Sequence, residues 1–209
     1  MLNTWDDYPE FKATTPFDIL YFKQLIPKSF KILELGCGYG RILSLLENEG
    51  YFNLTGIDSS IVQLNRAKKI LSKTELINCD IRLLDYPQNE YNVIIALGVL
   101  DCILFMEDIK NVIHNIRLSL KSDGYLFVNM YSKNSDTLSL EKYNLSEEIY
   151  GENGIILGNS GIMFHHYNDE DIFSLFSDFV ILRSEHKKFW SFNQKKQVNG
   201  LSLVLRVKK

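Results

Sequence analysis

The chain has 209 residues, 45% of them apolar and 23% charged, with a net charge of −3 and a pI near 5.8. That is the composition of one globular domain with a full core, and its weak acidity gives no general attraction to nucleic acid or to an anionic membrane. The opening "MLNTWDDYPE" has no basic-then-apolar leader, no apolar run approaches the ~20 residues of a bilayer span, and Cys37, Cys79 and Cys102 are too scattered for a zinc or disulfide framework, so a cytoplasmic chain without a metal is expected.

In chain order, Phe17–Ile26 has amphipathic helical spacing and is closed by Pro27. Phe30–Leu35 is a short buried strand, and Arg41–Glu49 a helix stopped by Gly50. Phe52–Ile57 is a second strand. Ser59–Leu71 has helical spacing, with Ile61, Leu64, Ala67, Ile70 and Leu71 on one apolar face. Glu75–Cys79 is a third strand, and "YNVIIAL" at Tyr91–Leu97 has the near-continuous apolar run of a strand covered on both faces. Glu107–Leu120 is helical, Lys121–Gly124 a turn, and Tyr125–Met130 a fifth strand. Tyr131–His166 is rich in Ser, Asn, Gly and Tyr and is expected to lack regular structure, a length of chain that is uncommon unless it covers a site. Asp169–Phe176 returns to helical spacing, and Phe179–Phe189 and Gln197–Val207 form an antiparallel hairpin through "SFNQKK".

Alternating strands and helices at this spacing specify an α/β fold, a doubly wound and mostly parallel sheet. One domain is expected over residues 1–209, with an N-terminal helix or lid over 1–28 and a cap over 131–168. Ligands of such sheets bind beyond the carboxyl ends of the strands, which points to Glu34–Gly40, Asp58–Ser59, Asp80–Ile81 and Leu97–Asp101.

The stretch "KILELGCGYGR", Lys31 to Arg41, narrows the choice of ligand. A dinucleotide loop has the form G-x-G-x-x-G; here the glycines are Gly36, Gly38 and Gly40, Arg41 takes the third fingerprint position, and Glu34 would repel a diphosphate. A ligand without phosphate that carries an ammonium, a cationic sulfur and an adenosine suits the same residues. Glu34 can hold the ammonium, the glycines admit close backbone approach, Asp58 can accept from both ribose hydroxyls, and Asp80 can accept from an adenine amino group. S-adenosylmethionine is such a ligand.

These segments, taken in order, resemble the class I S-adenosylmethionine-dependent methyltransferases. "LELGCGYGR" is similar to their first motif, "LTGIDSS" to the ribose-binding acidic loop and "INCDI" to the adenine-binding loop. "YNVIIALGVLDCI" and "LKSDGYLFVNMYS" are similar to the fourth and fifth strands, and "HHYNDEDIFSLFSDF" to the segment leading into the last helix and hairpin. The resemblance implies a Rossmann-like, seven-stranded sheet with an antiparallel last strand, and S-adenosylmethionine as cofactor, released as S-adenosylhomocysteine. It implies a cofactor site built from Glu34, Gly36, Cys37, Gly38, Gly40, Asp58, Ser59, Asp80, Ile81, Leu97 and Gly98. Asn92 stands where the family usually has Asp, a position expected to be structural.

For a base or acceptor contact the candidates are Asp101, His165, His166 and Tyr21. His165 and His166 are adjacent in extended chain, so at most one is expected to face the site. Methyltransferases of bases or glutamine carry an Asn/Asp-Pro-Pro-aromatic motif after the fourth strand; "LGVLDC" has no proline. The expected acceptor is therefore a small molecule with an O, N or C nucleophile, taken up by a monomer or homodimer, without nucleic acid or membrane. The alternatives are methylation of RNA or protein, a nicotinamide-dependent oxidoreductase, and a non-catalytic cofactor-binding protein.

Overall fold

The computed structural model describes residues 4–191 and 196–208. Its order is α1 (Ile19–Leu25), β1 (Ile32–Leu35), α2 (Arg41–Asn48), β2 (Leu54–Asp58), α3 (Ile61–Ala67), β3 (Glu75–Asn78), β4 (Tyr91–Leu97), α4 (Met106–Ser119) and β5 (Leu120–Tyr131), followed by α5 (Thr137–Tyr150), β6 (Ile155–Leu157), β7 (Met163–His165), α6 (Asp169–Leu175), β8 (Phe179–Ser191) and β9 (Lys196–Val207). Short 3-10 turns occur at Trp5–Asp7 and Leu100–Cys102.

The main sheet has seven strands in the order β3-β2-β1-β4-β5-β9-β8. β1 to β5 run parallel, and β9 lies antiparallel between β5 and β8. Strand alternation divides the core between the two faces. Ile94 and Ala96 of β4 pack with Ile109, Ile113 and Ile116 of α4 and Ile172 of α6, whereas Val93 and Ile95 pack with Phe22 of α1, Leu43 and Leu46 of α2 and Leu64 of α3. Parallel pairing aligns the carboxyl ends of β1 to β5 along one edge, and the glycine-bearing loops open there.

Three expectations are corrected. Tyr131–His166 contains α5 and the β6–β7 hairpin where irregular chain was expected. Helical periodicity fails to reveal α5 because Tyr143 and Ser146 are its buried residues, whereas Leu138, Leu145 and Ile149 are exposed. Lys121–Gly124 lies inside β5 as a bulge. The pairing with β4 jumps from Tyr91↔Leu120 to Val93↔Tyr125, with Asp123 at φ 93°. In α3, Ile61 and Ile70 are exposed and Gln63 is buried beside Leu64 and Ala67: the helix ends at Ala67, which leaves Ile70 beyond it, and Gln63 is bonded to the Trp5 and Tyr8 backbone. Asn92 is structural, as expected: its Oδ1 accepts from the Lys31 backbone N–H at 3.0 Å and from Lys121 Nζ at 3.3 Å.

Candidate active site

β1 delivers Glu34 to the carboxyl edge, where the chain must turn sharply into α2. Gly36 and Gly38 both lie in the left-handed region, at φ 65° and 54°. A Cβ on Gly36 would sit 2.4 Å from Val99 Cγ2, so only glycine lets the loop pass the segment after β4. A Cβ on Gly38 would meet nothing within 4 Å, which leaves that backbone open to the cleft. Gly40 has a different task. It caps α2 at φ 81°, and its Cβ would fall 2.8 Å from Leu71 Cδ1; it is absent from the cleft wall and serves packing where ligand contact was expected.

Glu34 is 4% exposed, and its Oε2 has no hydrogen-bond partner among the described residues. Burial pushes its carboxyl up to about 8; the Arg41 guanidinium opposes that shift, Asp58 adds to it, and the Leu43 backbone N–H of α2 opposes it weakly. A buried carboxylate oxygen without a partner, in the wall of a cleft, is a site for a cation. Asp58, at the end of β2, accepts from the Gly38 backbone N–H at 2.7 Å through Oδ2 and from that of Ser60 at 2.8 Å through Oδ1. Burial raises its pKa, against the pull of these two N–H groups. Asp58 thus ties the β2 end to the glycine loop while remaining in the cleft wall with Ser59.

Beyond β3, Asp80 and Ile81 line the cleft. The Asp80 carboxylate is engaged by Arg82, which donates from Nε, Nη2 and its backbone N–H and holds the acid below its ordinary range. Arg82, also in the wall, escaped the sequence reading. Cys37, Leu97 and Gly98 complete the floor. Burial raises the Cys37 thiol, so it stays protonated. Gly98, at φ 74°, admits Thr15, whose Oγ1 would be 3.0 Å from an added Cβ.

The four candidates for acid–base work lie outside the cleft wall. Asp101 is fully buried behind it: Oδ1 accepts from the Tyr131 backbone N–H at 2.7 Å, Oδ2 has no partner among the described residues, and burial pushes the carboxyl up to about 8. The acid is therefore largely protonated at neutral pH and anchors β5. Asp101→Asn, which keeps the acceptor oxygen, is expected to leave stability nearly unchanged, whereas Asp101→Ala strands a buried N–H at a cost of about 1–3 kcal/mol in urea unfolding. His165 is stacked on Tyr167 with Nδ1 2.6 Å from the Leu104 carbonyl, and His166 pairs Nδ1 with the Tyr143 hydroxyl at 3.0 Å. Burial lowers both imidazoles, His166 to about 3, and neither faces the cleft; their neighbour Phe164 does. Tyr21 lines a smaller cavity that shares Leu97 with the cleft, under the Arg183 guanidinium at 4.5 Å.

The roof is the segment Trp5–Thr15, clamped by α2 and α3. Ser60 Oγ, the cap of α3, donates to the Asp6 carboxylate. Gln63 Nε2 donates to the Trp5 and Tyr8 carbonyls at 3.2 and 2.7 Å, Arg66 Nη1 to the Phe11 carbonyl at 2.9 Å, and Arg41 Nη2 to the Thr15 carbonyl at 2.6 Å. On the far side the Tyr8 hydroxyl donates to the Ser160 carbonyl of the cap. The aromatic N-terminus was visible in sequence; the clamp was not. Gln63→Ala removes these two hydrogen bonds to the roof, worth about 1 kcal/mol each, together with the one its Oε1 accepts from Arg66 Nη1 at 2.7 Å, so cofactor release in stopped flow is expected to accelerate by roughly thirtyfold.

Parallel strands with one antiparallel insertion, a glycine loop after β1 and acids at the ends of β1, β2 and β3 define a Rossmann-like methyltransferase fold. Residues 32–124 match the family described as "Methyltransferase domain". The chain is similar to a crystal structure of an S-adenosylmethionine-dependent methyltransferase from Methanosarcina mazei, with a TM-score of 0.81 and 19% identity over 92% of this chain and 98% of that one. It is also similar to the 1,6-didemethyltoxoflavin-N1-methyltransferase of Burkholderia thailandensis, solved with S-adenosylhomocysteine, with a TM-score of 0.63 and 16% identity over 91% and 76% of the two chains. In sequence it is 32% identical to EEF1A lysine methyltransferase 2 of Danio rerio over 50% of this chain and 49% of that one. It is 28% identical to an uncharacterised protein of Methanocaldococcus jannaschii over 52% and 44% of the two chains. The chain spans about half the length of the curated relatives it matches. Its fold is the Rossmann-like fold of these methyltransferase structures, and the family match covers residues 32–124, a little under half of the chain. Among the described residues no helix is long and apolar enough to cross a membrane.

Proposed function

We propose that this chain transfers the methyl group of S-adenosylmethionine to a small molecule enclosed in the cleft. The observation that carries the cofactor assignment is Glu34, a buried carboxylate whose Oε2 has no partner among the described residues, beside an open glycine backbone. It would receive the ammonium, Asp58 the ribose hydroxyls, and the Asp80–Ile81 loop the adenine. Because Asp80 is already engaged by Arg82, adenine would be recognised by the backbone of this loop as well as by the acid.

The cleft supports a small acceptor because its roof is tied down at both ends, by Arg41, Gln63 and Arg66 and by the Tyr8–Ser160 contact. A methyl sulfonium is already activated, so the chain's task is to align donor and nucleophile at about 3–3.5 Å and to exclude water. The likeness to a protein lysine methyltransferase favours a second reading, in which the roof opens for a side chain of a protein substrate. Incubation of the protein and labelled S-adenosylmethionine with a cell extract separates the two. Label in low-molecular-weight compounds is expected; label confined to protein or RNA would refute the small-molecule reading.

A further inference from the structure

We propose that the acceptor is a flat, uncharged aromatic molecule that offers a nitrogen lone pair to the sulfonium methyl, held by the rings of Trp5, Phe164 and Tyr131 at the β4–β5 end of the cleft. This rests on the assignment of the β1–β3 end to the cofactor.

The cleft wall is divided in character. Its acids and guanidinium groups, Glu34, Asp58, Asp80, Arg41 and Arg82, all lie at the carboxyl ends of β1 and β2 or in the segments that follow β1 and β3. At the other end the wall is aromatic. Trp5 meets Phe164 edge-on with ring centroids 6.2 Å apart, and Phe164 meets Tyr131 at 5.8 Å. Phe11 carries the row back toward the β1 end, 4.9 Å from Trp5 and 6.2 Å from Tyr39 of the glycine loop. Rings that meet edge to face at these separations fill one another's gaps, so another planar ring would lie in the cleft, against the parts of them that line it. A carboxylate or phosphate placed there would lose water against apolar surfaces.

The same rings suit a nitrogen nucleophile. Its lone pair forms the new N–CH3 bond while the S–CH3 bond breaks with its electron pair going to sulfur. The donor becomes a neutral thioether and the positive charge passes to nitrogen. Aromatic faces attract the cation before and after transfer, and an amine acceptor gives up its extra proton to water on release. A hydroxyl acceptor would need a base during attack, and Asp101, His165, His166 and Tyr21 all stand outside this wall.

The chain has two tryptophans, and Trp190 is exposed on β8, so Trp190→Phe leaves Trp5 as a reporter inside the cleft. This protein, loaded with S-adenosylhomocysteine in mildly alkaline buffer, is titrated with isoquinoline and with naphthoate. Saturable quenching is expected, with isoquinoline binding at least about tenfold tighter than naphthoate. Phe164→Leu, which keeps apolar volume but removes the ring, is expected to weaken isoquinoline at least about fivefold and to leave S-adenosylhomocysteine affinity within about threefold. Naphthoate binding as tightly as isoquinoline, isoquinoline failing to saturate, or an unchanged affinity in Phe164→Leu would overturn the proposal. Failure of S-adenosylhomocysteine itself to bind, read by calorimetry, would overturn the cofactor assignment beneath it.

Discussion

Glu34→Gln is expected to weaken S-adenosylmethionine binding by roughly ten- to a hundred-fold, since a hydrogen bond to a charged group contributes about 1.5–3 kcal/mol. The same substitution should raise the thermal stability of the free protein. Glu34 is buried, one of its oxygens has no partner among the described residues, and its carboxyl is pushed up to about 8. The unfolded chain releases that proton near pH 4.3, so the folded protein binds more protons over the window between about 4.3 and 8, and stability falls as pH rises through it. Asp101 acts in the same direction. Glutamine removes the Glu34 share, so the variant's stability should fall less steeply with pH. Binding has the opposite pH dependence. The ammonium needs the ionised acid, so affinity should rise from about pH 6 toward 8, where the ligand's own amine begins to lose its proton. Calorimetry at neutral pH in two buffers of different ionisation enthalpy should show release of between about half and one proton on binding, and almost none in Glu34→Gln.

Gly36→Ala is expected to destabilise the fold by about 2–5 kcal/mol and to abolish cofactor binding at the concentrations that saturate the native protein. Two costs add. An alanine at φ 65° carries about 1–2 kcal/mol of left-handed strain, and its Cβ, 2.4 Å from Val99 Cγ2, forces overpacking of about 1–3 kcal/mol. Gly38→Ala is the control: it has a similar φ but open space around the new methyl, so it should lose about 1 kcal/mol in urea unfolding. Adding Val99→Ala to Gly36→Ala should restore part of the loss, because it removes the atoms in collision while leaving the strain.

Much of this site was legible because its chemistry is concentrated where strands end. The glycines declare a sharp turn, and acids at Glu34, Asp58 and Asp80 fall at successive strand ends by periodicity alone. The central strand Tyr91–Leu97 was readable to the residue because both of its faces are buried. What was hidden depends on partners distant in sequence. Gly40 looked like its two neighbours, and only the approach of Leu71 distinguishes it. His165 and His166 carry the residue type of a base, but their hydrogen bonds to Leu104 and Tyr143, set by the fold of α5 and the β6–β7 hairpin, turn them away from the cleft. α5 itself is weakly amphipathic, so the signal that identifies most helices is nearly absent from it. The roof clamp joins backbone carbonyls of Trp5–Thr15 to side chains of α2 and α3, a pairing that no local pattern records.

Crystals grown with S-adenosylhomocysteine test the cofactor assignment most directly. The expected density places the ammonium within hydrogen-bond reach of Glu34 and the ribose hydroxyls at Asp58, with the thioether sulfur facing the Trp5–Phe164–Tyr131 rings. Density in another cavity, or a ligand in the cleft whose amine and ribose avoid both acids, would contradict it.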